Sequence, residues 1–275
     1  MFENSYNKKT SKKLGWEPEW FGATDFDNDL IQKIKDFQAQ QGLKADGKCG
    51  PITYSRIATA KEHADSEVLD QNKNYIICGG SPVEIEWNKV SNLLDPDGLS
   101  LPRNCYRRGR SSVPKMIVTH WDAALSAKSC HNILLKRELS YHFVIDNDGT
   151  IYQLVDPSHE AWHAGTRKTN RASIGVCLSN AVYTKYQNTY IKRGHGSRPV
   201  VSGLKVHGRS VDDCLGFYNS QVDAYKALIS SLGMEYGIPL ECPLDESGEL
   251  ITTVYEPAKQ GEYNGIVSHF HLTTR

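Results

Sequence analysis

The chain has 275 residues and a mean hydropathy of -0.50, and it contains no run of the roughly 20 apolar residues that a membrane-spanning helix needs. Its 32 basic and 32 acidic residues balance, so the overall charge gives no long-range attraction to nucleic acid, and its seven cysteines include no CxxC pair of the kind found in zinc ribbons. These features exclude an integral membrane protein and a small disulfide-bonded scaffold, and they leave room for one large domain with a small module beside it.

The N-terminal segment is rich in lysine but has no apolar stretch behind it, so it does not resemble a secretory signal. We therefore expect synthesis to end in a cytoplasm. Apolar residues then recur at helical spacing over residues 29–41, where Asp29 is the expected N-cap and Gln32 completes a capping box. Pro51 suits the first position of a second helix. The sequence therefore predicts a small helical module over residues 15–62.

Residues 63–115 are predicted to be a linker that leads into the next domain, with a helix over residues 84–94. Several arginines follow this helix. A solvated loop face is their favoured interpretation, with contact to an anionic polymer as the alternative. They are Arg103, Arg107, Arg108 and Arg110.

Short runs of alternating β-branched residues predict strands from residue 116 onward, in MIVTHW, YHFVID, SIGVCLS and GIVSHFH. Residues 219–236 have the spacing of an amphipathic helix, and the Asp-Gly pair at 148–149 marks a hairpin turn. Strands mixed with helices predict an α/β domain over residues 116–275, with a central mixed β-sheet flanked by helices.

Histidines stand near the ends of two of these strands. His120 is next to last in MIVTHW, and strand alternation predicts that His269 and His271 share one face of GIVSHFH. Neutral imidazoles on a rigid rim can hold zinc, although a single histidine in a strand is more often a packing residue. Spacing alone leaves both interpretations open.

Two sets of sequence strings resemble known families. FQAQQGLKADGKCGPITYSRI resembles the peptidoglycan-binding repeat found beside cell-wall hydrolases, although its residues also suit an inert helical cap. IVTHWDAA, SYHFVIDNDGTIYQLVD, AWHAGTR, NRASIGVCLSN and IVSHFHLTTR are similar, in order and rough separation, to zinc N-acetylmuramoyl-L-alanine amidases, a group that includes amidase-type phage lysozymes and peptidoglycan recognition proteins. The resemblance implies a monomeric phage endolysin that is made in the host cytoplasm and reaches the wall at lysis. There it is expected to hydrolyse the amide between N-acetylmuramic acid and L-alanine of bacterial peptidoglycan.

The resemblance also implies roles for single residues. His120 and His269 match the first and second zinc ligands of the family, and Tyr141 matches the tyrosine that assists the zinc-bound water. These residue types suit amide hydrolysis, because zinc lowers the pKa of its water to about 7 and a phenol can donate to the developing oxyanion.

Three further residues are assigned to the substrate groove. His163, in AWHAG, matches a family histidine near the site, and Asn170 lies just before SIGVCLS. Cys177 stands where some branches of the family have a glutamate. It is predicted to be a small residue lining the groove, with a catalytic thiol as the alternative.

The third zinc ligand is the point at which the sequence departs from the family. In the family an aspartate or cysteine follows the second histidine, whereas this sequence stops at Arg275 before any such residue. Three explanations are open: the C-terminal end is missing, another group completes the site, or the protein binds peptidoglycan without cutting it. The candidate substitutes are His271, the terminal carboxylate of Arg275 and, more remotely, Asp122.

Overall fold

The computed structural model describes residues 2–65 and 74–274, and the chain divides into two compact units. The smaller unit comprises Met1–Asn72, Gly80–Pro82 and Leu94–Gly98, and the larger comprises Lys73–Gly79, Val83–Leu93 and Leu99–Arg275. Part of the predicted linker, residues 66–73, lies outside the described residues.

The smaller unit is helical. Its α-helices are α1 Phe2–Leu14, α2 Asn28–Gln40 and α3 Pro51–Asp65. The structure has the predicted helix pair in α2 and α3, and Pro51 begins α3 as expected. Trp16, Leu30 and Ile34 are buried together, so aromatic residues ahead of α2 complete a core that short helices alone could not form.

Two details of this unit differ from the sequence prediction. The N-cap of α2 is Asp27, whose carboxylate accepts a hydrogen bond from a backbone N–H of the first turn at 3.1 Å, whereas Asp29 lies inside the helix. Helix α1 was not predicted, because its polar sequence lacks an apolar stripe. Asn7 of α1 is buried, and its side chain donates to the carbonyl of Gly47 at 3.0 Å and accepts from the N–H of Cys49 at 2.9 Å.

The residues that lead into the main sheet form short strands. They are β1 Tyr75–Cys78, β2 Ser81–Glu84, β3 Val90–Ser91 and β4 Tyr106–Arg107. The helix predicted over residues 84–94 is therefore wrong. Strand β3 pairs in parallel with residues 151–152, and the Trp87 indole donates to the carbonyl of Gly149 at 2.7 Å. The hydrogen-bonding groups of this segment thus find partners far away in the sequence, and these tertiary contacts outweigh the helical spacing of its apolar residues.

The larger unit continues with strands mixed with helices. The strands are β5 Met116–Trp121, β6 Phe143–Ile145, β7 Ile151–Gln153, β8 Glu160–Ala161, β9 Ser173–Leu178, β10 Val200–Val201, β11 Lys205–Val206, β12 Arg209–Ser210, β13 Cys214–Leu215 and β14 Gly265–Ser268. The α-helices are α4 Ala127–Arg137, α5 Arg167–Ala172, α6 Gln187–Lys192, α7 Asn219–Tyr236 and α8 Glu256–Lys259. Within the described ranges, no helix is long and apolar enough to cross a bilayer.

The main sheet has the strand order β14-β5-β9-β6-β7-β3. Neighbouring strands run parallel except β6 and β7, which are antiparallel around the predicted turn at 148–149. Ile117 of the sheet packs with Leu228 of α7 on one face, and Val144 packs with Leu134 of α4 on the other. The predicted α/β fold, a central mixed sheet flanked by helices, is confirmed.

The strand register decides where the histidines lie. Strands β5 and β9 pair in parallel over their whole length, with His120 opposite Cys177. Strand β14 pairs with β5 only as far as Ser268, opposite Thr119, and His269–His271 then forms a 3-10 helix. His269 therefore emerges level with His120 on the neighbouring strand.

Candidate active site

Three imidazoles and a phenol cluster where β5 and β14 end. His120 lies on β5, His269 follows β14, His163 follows β8 and Tyr141 precedes β6. The ring centroid of His120 is 4.9 Å from that of His269, 5.1 Å from that of His163 and 4.7 Å from that of Tyr141. The structure thus brings together the two predicted zinc ligands, the predicted catalytic tyrosine and one predicted groove residue.

A chain of hydrogen bonds fixes which ring nitrogen carries the proton. Ser173 Oγ donates to the carbonyl of Thr169 at 2.6 Å, so it accepts from His163 Nε2, 3.4 Å away. The lone pair of His163 is then on Nδ1, which accepts from His120 Nε2 at 3.0 Å. The Nδ1 of His120 consequently carries a lone pair, and none of the described residues is hydrogen-bonded to it.

His269 presents a second free ring nitrogen. Its Nδ1 is buried and has no hydrogen-bond partner in the described part of the chain. Burial lowers the pKa of His120 well below its ordinary value and lowers that of His269 in the same direction, so both rings are neutral at pH 7. Two neutral imidazoles with an available Nδ1 and ring centroids 4.9 Å apart are suited to bind zinc.

Tyr141 is held as a neutral phenol beside this pair. Burial, with a smaller effect from the neighbouring Cys177, raises the pKa of Tyr141 well above its ordinary value. The Tyr141 ring packs against the core cluster that contains Cys177. A phenol that keeps its proton and lies against His120 can donate a hydrogen bond to an oxygen bound near the imidazoles.

The position of His163 depends on Gly175 of β9 and on Asn170. A Cβ atom at Gly175 would lie 2.7 Å from the His163 ring, so only glycine lets the ring approach the strand this closely. The Oδ1 of Asn170 accepts hydrogen bonds from the N–H groups of His163 at 3.0 Å and Ala164 at 2.7 Å. Both predicted groove residues therefore position the imidazole cluster, and their direct contact with a substrate stays a prediction.

Cys177 was predicted to line the groove, and the structure corrects this. Its side chain is 0% exposed, because strand alternation sets the face of a residue but not its depth beneath neighbouring side chains. Burial also raises the pKa of the thiol well above its ordinary value, which argues against the alternative of a catalytic thiolate. Cys177 belongs to the buried cluster against which Tyr141 packs.

A second group of possible metal ligands was not recognised from the sequence. The ligand atoms of Asp122, Cys130 and Cys177 lie within 4.8 Å of one another. The Asp122 carboxylate already accepts hydrogen bonds from the N–H of Asn180 at 3.0 Å and the hydroxyl of Ser179 at 2.9 Å. Its oxygens therefore stabilise a turn, which makes Asp122 a poor substitute for the third zinc ligand.

The expectation that His271 could substitute for the third zinc ligand is wrong. The 3-10 helix turns His271 away from the strand face that it was expected to share with His269. The N–H of Ser268 donates to His271 Nδ1 at 3.0 Å, and His271 Nε2 donates to the carbonyl of Ile251 at 2.6 Å. Both ring nitrogens are thus occupied. The third candidate, the terminal carboxylate of Arg275, lies outside the described residues.

Arg110 is a residue whose role the sequence did not reveal. It was predicted to lie on a solvated loop face, but its guanidinium donates to the carbonyls of Pro157 at 2.6 Å, Asn170 at 3.2 Å and Ser173 at 2.8 Å. Burial lowers the pKa of Arg110 to about 10. It ties the segment ahead of β5 to α5, the helix that carries Asn170. No local sequence signal marks this role, because the partners are 47 to 63 residues away.

Two families match the chain. Residues 110–269 match the family described as N-acetylmuramoyl-L-alanine amidase, and residues 12–57 match the family described as putative peptidoglycan binding domain. No curated protein matches the chain.

Solved structures with similar folds include bacterial and endolysin amidases. The N-acetylmuramoyl-L-alanine amidase LysCS from Clostridium intestinale, an endolysin, is 17% identical over 59% of this chain and 73% of that one, with a TM-score of 0.34. A mutant endolysin from Bacillus subtilis is 19% identical over 64% of this chain and 85% of that one, with a TM-score of 0.36. The amidase AmiD from E. coli, in complex with its substrate, is 21% identical over 49% of each chain, with a TM-score of 0.33.

Proposed function

Because the chain belongs to the N-acetylmuramoyl-L-alanine amidase family, we propose that it is a zinc-dependent enzyme that cleaves the amide between the lactyl group of N-acetylmuramic acid and L-alanine in peptidoglycan. The observation that carries the proposal is the pair of free Nδ1 atoms on His120 and His269, beside the neutral phenol of Tyr141.

His120 and His269 would hold the zinc through Nδ1. An ion bound there would lower the pKa of a coordinated water and polarise the carbonyl of the scissile amide. Hydrogen bonds within the chain orient His120 for this role. The Nδ1 of His163 accepts a hydrogen bond from the Nε2–H of His120, and the Oγ of Ser173 accepts one from the Nε2–H of His163. Such outer hydrogen bonds orient a ligand and fix its tautomer before the metal arrives.

Hydrolysis adds one water molecule across the amide. A new bond forms between the water oxygen and the carbonyl carbon, the C–N bond breaks, and the released nitrogen of L-alanine takes up a proton. The carbonyl oxygen gains negative charge during this step. Tyr141 donates a hydrogen bond to that oxygen, because its raised pKa keeps the phenol protonated at neutral pH. This bond is stronger to the developing oxyanion than to the neutral carbonyl, so it accelerates the reaction.

The smaller unit is proposed to anchor the chain to the wall. The match of residues 12–57 to a putative peptidoglycan binding family supports this role. Trp20 and Tyr54 stack there with ring centroids 5.9 Å apart, and both remain half-buried, which leaves aromatic surface available to a polymer. Two modules that bind one polymer raise the local concentration of substrate at the catalytic unit.

The setting proposed for this activity is that of a phage endolysin. The chain would be a monomer that accumulates in the host cytoplasm and reaches the wall at lysis. The matches to an amidase family and to a putative peptidoglycan binding family support the part of this proposal that places the chain at the cell wall. Sedimentation velocity tests the monomer, and lysis of cells whose membrane has been permeabilised tests the bacteriolytic role.

Purified peptidoglycan sacculi provide the test of the reaction. The full chain with zinc should release new α-amino groups on alanine without creating new reducing sugar ends, and a chelator should abolish the release. His120→Ala is the matched control. Binding to sacculi without cleavage by the zinc-loaded chain would support a non-catalytic recognition protein instead, and cleavage that a chelator leaves unchanged would contradict the zinc mechanism.

A further inference from the structure

A pocket of about 540 Å³ opens beside the imidazole cluster. It is lined by the segment around β4 and by the turn that begins α5. Asn170 lines this pocket, and its Oδ1 also accepts the hydrogen bond from the N–H of His163 at 3.0 Å. The pocket and the proposed site therefore share a residue, and the volume is in the range of small-ligand sites.

The pocket is strongly basic. Its charged lining residues are Arg103, Arg107, Arg108, Glu160 and Arg167. Glu160 is buried and already paired, since its carboxylate lies 3.3 Å from the Nε of Arg171 and 4.0 Å from that of Arg107. In the part of the chain that the structure describes, the other three arginines of the lining form no ion pair with an acidic side chain.

The arginines face one cavity, since Arg103, Arg107, Arg108 and Arg167 all line the same pocket. Positive charges that face one cavity repel each other, and a bound anion relieves that repulsion. Arg103, Arg107 and Arg108 also precede residues 110–269, so most of this charge lies outside the region that the amidase family matches.

We propose that Arg103, Arg108 and Arg167 form a subsite for a carboxylate of the stem peptide, and that this subsite makes the chain prefer stem peptides with a free carboxylate to amidated ones. The inference rests on the proposed function, because cleavage beside L-alanine places the rest of the stem peptide next to the imidazole cluster. The residue after L-alanine is D-glutamate linked through its γ-carboxyl, so its α-carboxylate is free unless it is amidated.

The chemistry of the two forms explains the preference. A guanidinium binds a carboxylate through two parallel charge-assisted hydrogen bonds, whereas a carboxamide has no negative charge and a single acceptor oxygen. A phosphodiester wall polymer would also be attracted by the arginines. The short path from His163 through Asn170 into the pocket favours the stem peptide, because it is joined directly to the scissile amide.

Two soluble muropeptides that differ only in this group provide the test. One carries D-glutamate and the other carries the α-amide, and kcat/KM of the zinc-loaded full chain is measured for both. We expect the acid to be preferred by about tenfold, and Arg108→Ala or Arg167→Ala to reduce that ratio by about threefold each. The ratio should also fall as ionic strength rises. Arg193→Ala, an exposed arginine outside the pocket, should leave the ratio unchanged.

Binding of the same two peptides to the zinc-free chain, measured by calorimetry, separates this inference from the proposed function. If neither peptide is cleaved but the acid binds more tightly than the amide and loses that advantage in Arg108→Ala, the proposed reaction fails and the subsite stands. Equal kcat/KM values and equal affinities for acid and amide would overturn the subsite while leaving the reaction intact. Peptide-independent, salt-sensitive binding to a phosphodiester polymer, lost in Arg108→Ala, would overturn it in favour of that polymer.

Discussion

Four histidines of the larger unit form two groups that differ in what their ring nitrogens contact. His120 and His269 each have an Nδ1 without a partner among the described residues. In His142 and His271, by contrast, both ring nitrogens lie within hydrogen-bond distance of backbone groups. Burial lowers the pKa of all four. Burial and residue type therefore do not separate the two groups, whereas the free Nδ1 lone pairs, carried on rings with centroids 4.9 Å apart, do.

Replacing a histidine of the first group should have the largest effect. His120→Ala or His269→Ala removes one ligand, so we expect zinc affinity to fall by at least about a thousandfold and amide cleavage to fall with it. Zinc per chain after gel filtration, measured by elemental analysis, checks the first effect. Full zinc occupancy in the double variant would contradict the assignment of these two ligands.

Tyr141→Phe should have the next largest effect. The variant keeps the ring against His120 but loses the phenol proton, so kcat should fall by about a hundredfold with little change in KM. Zinc content should stay at the level of the unchanged chain. If kcat is unchanged, Tyr141 is a packing residue, and the oxyanion is stabilised elsewhere.

A histidine of the second group should affect stability and not the metal. His271→Ala removes two buried hydrogen bonds and leaves the N–H of Ser268 unpaired, so the free energy of unfolding should fall by about 2 kcal/mol. Thermal unfolding measures this loss, and the folded variant should bind as much zinc as the parent chain. A folded His271→Ala chain without zinc would remove the distinction between the two groups.

The burial of the histidine rings should make the free energy of unfolding of the metal-free chain depend on pH. Burial holds the pKa of His142 well below its ordinary value in the folded state, so below about pH 6.5 the unfolded chain binds a proton that the folded chain does not. Stability is therefore fully present above that pH and is lost as the pH falls, by up to about 1.4 kcal/mol per pH unit for this residue. Denaturant unfolding at several pH values measures the slope, and His142→Gln should flatten it. An identical slope in the variant would contradict the prediction.

The features that the sequence predicted correctly depend on neighbouring residues. Strand β5 at Met116–Trp121 and helix α7 at Asn219–Tyr236 have the predicted bounds, because alternation and helical spacing are local signals. His120 and His269 come together because parallel strands end at the same edge of a sheet. Strand ends alone indicated where each histidine lies, whereas their pairing as zinc ligands was implied only by the family resemblance.

The features that the sequence missed depend on distant partners. Residues 84–94 form no helix because β3 pairs with β7, and β14 ends at Ser268, whose own N–H donates to His271 Nδ1. The burial of Arg110 requires carbonyl groups from the loop after β7, from the C-terminal half of α5 and from the first residue of β9. The tautomer of His120 depends on Ser173 through His163, and no spacing rule connects these three residues.

The close approach of His163 to Gly175 limits how this site can change over generations. A single mutation that adds even one methyl group at position 175 would push the ring away from His120, whose proton would then lose its acceptor. A smaller side chain at position 163 would make room for that methyl group but would remove the acceptor itself. Each single step therefore lowers activity, so functional variants selected from a randomised library should retain this pair or replace both members at once.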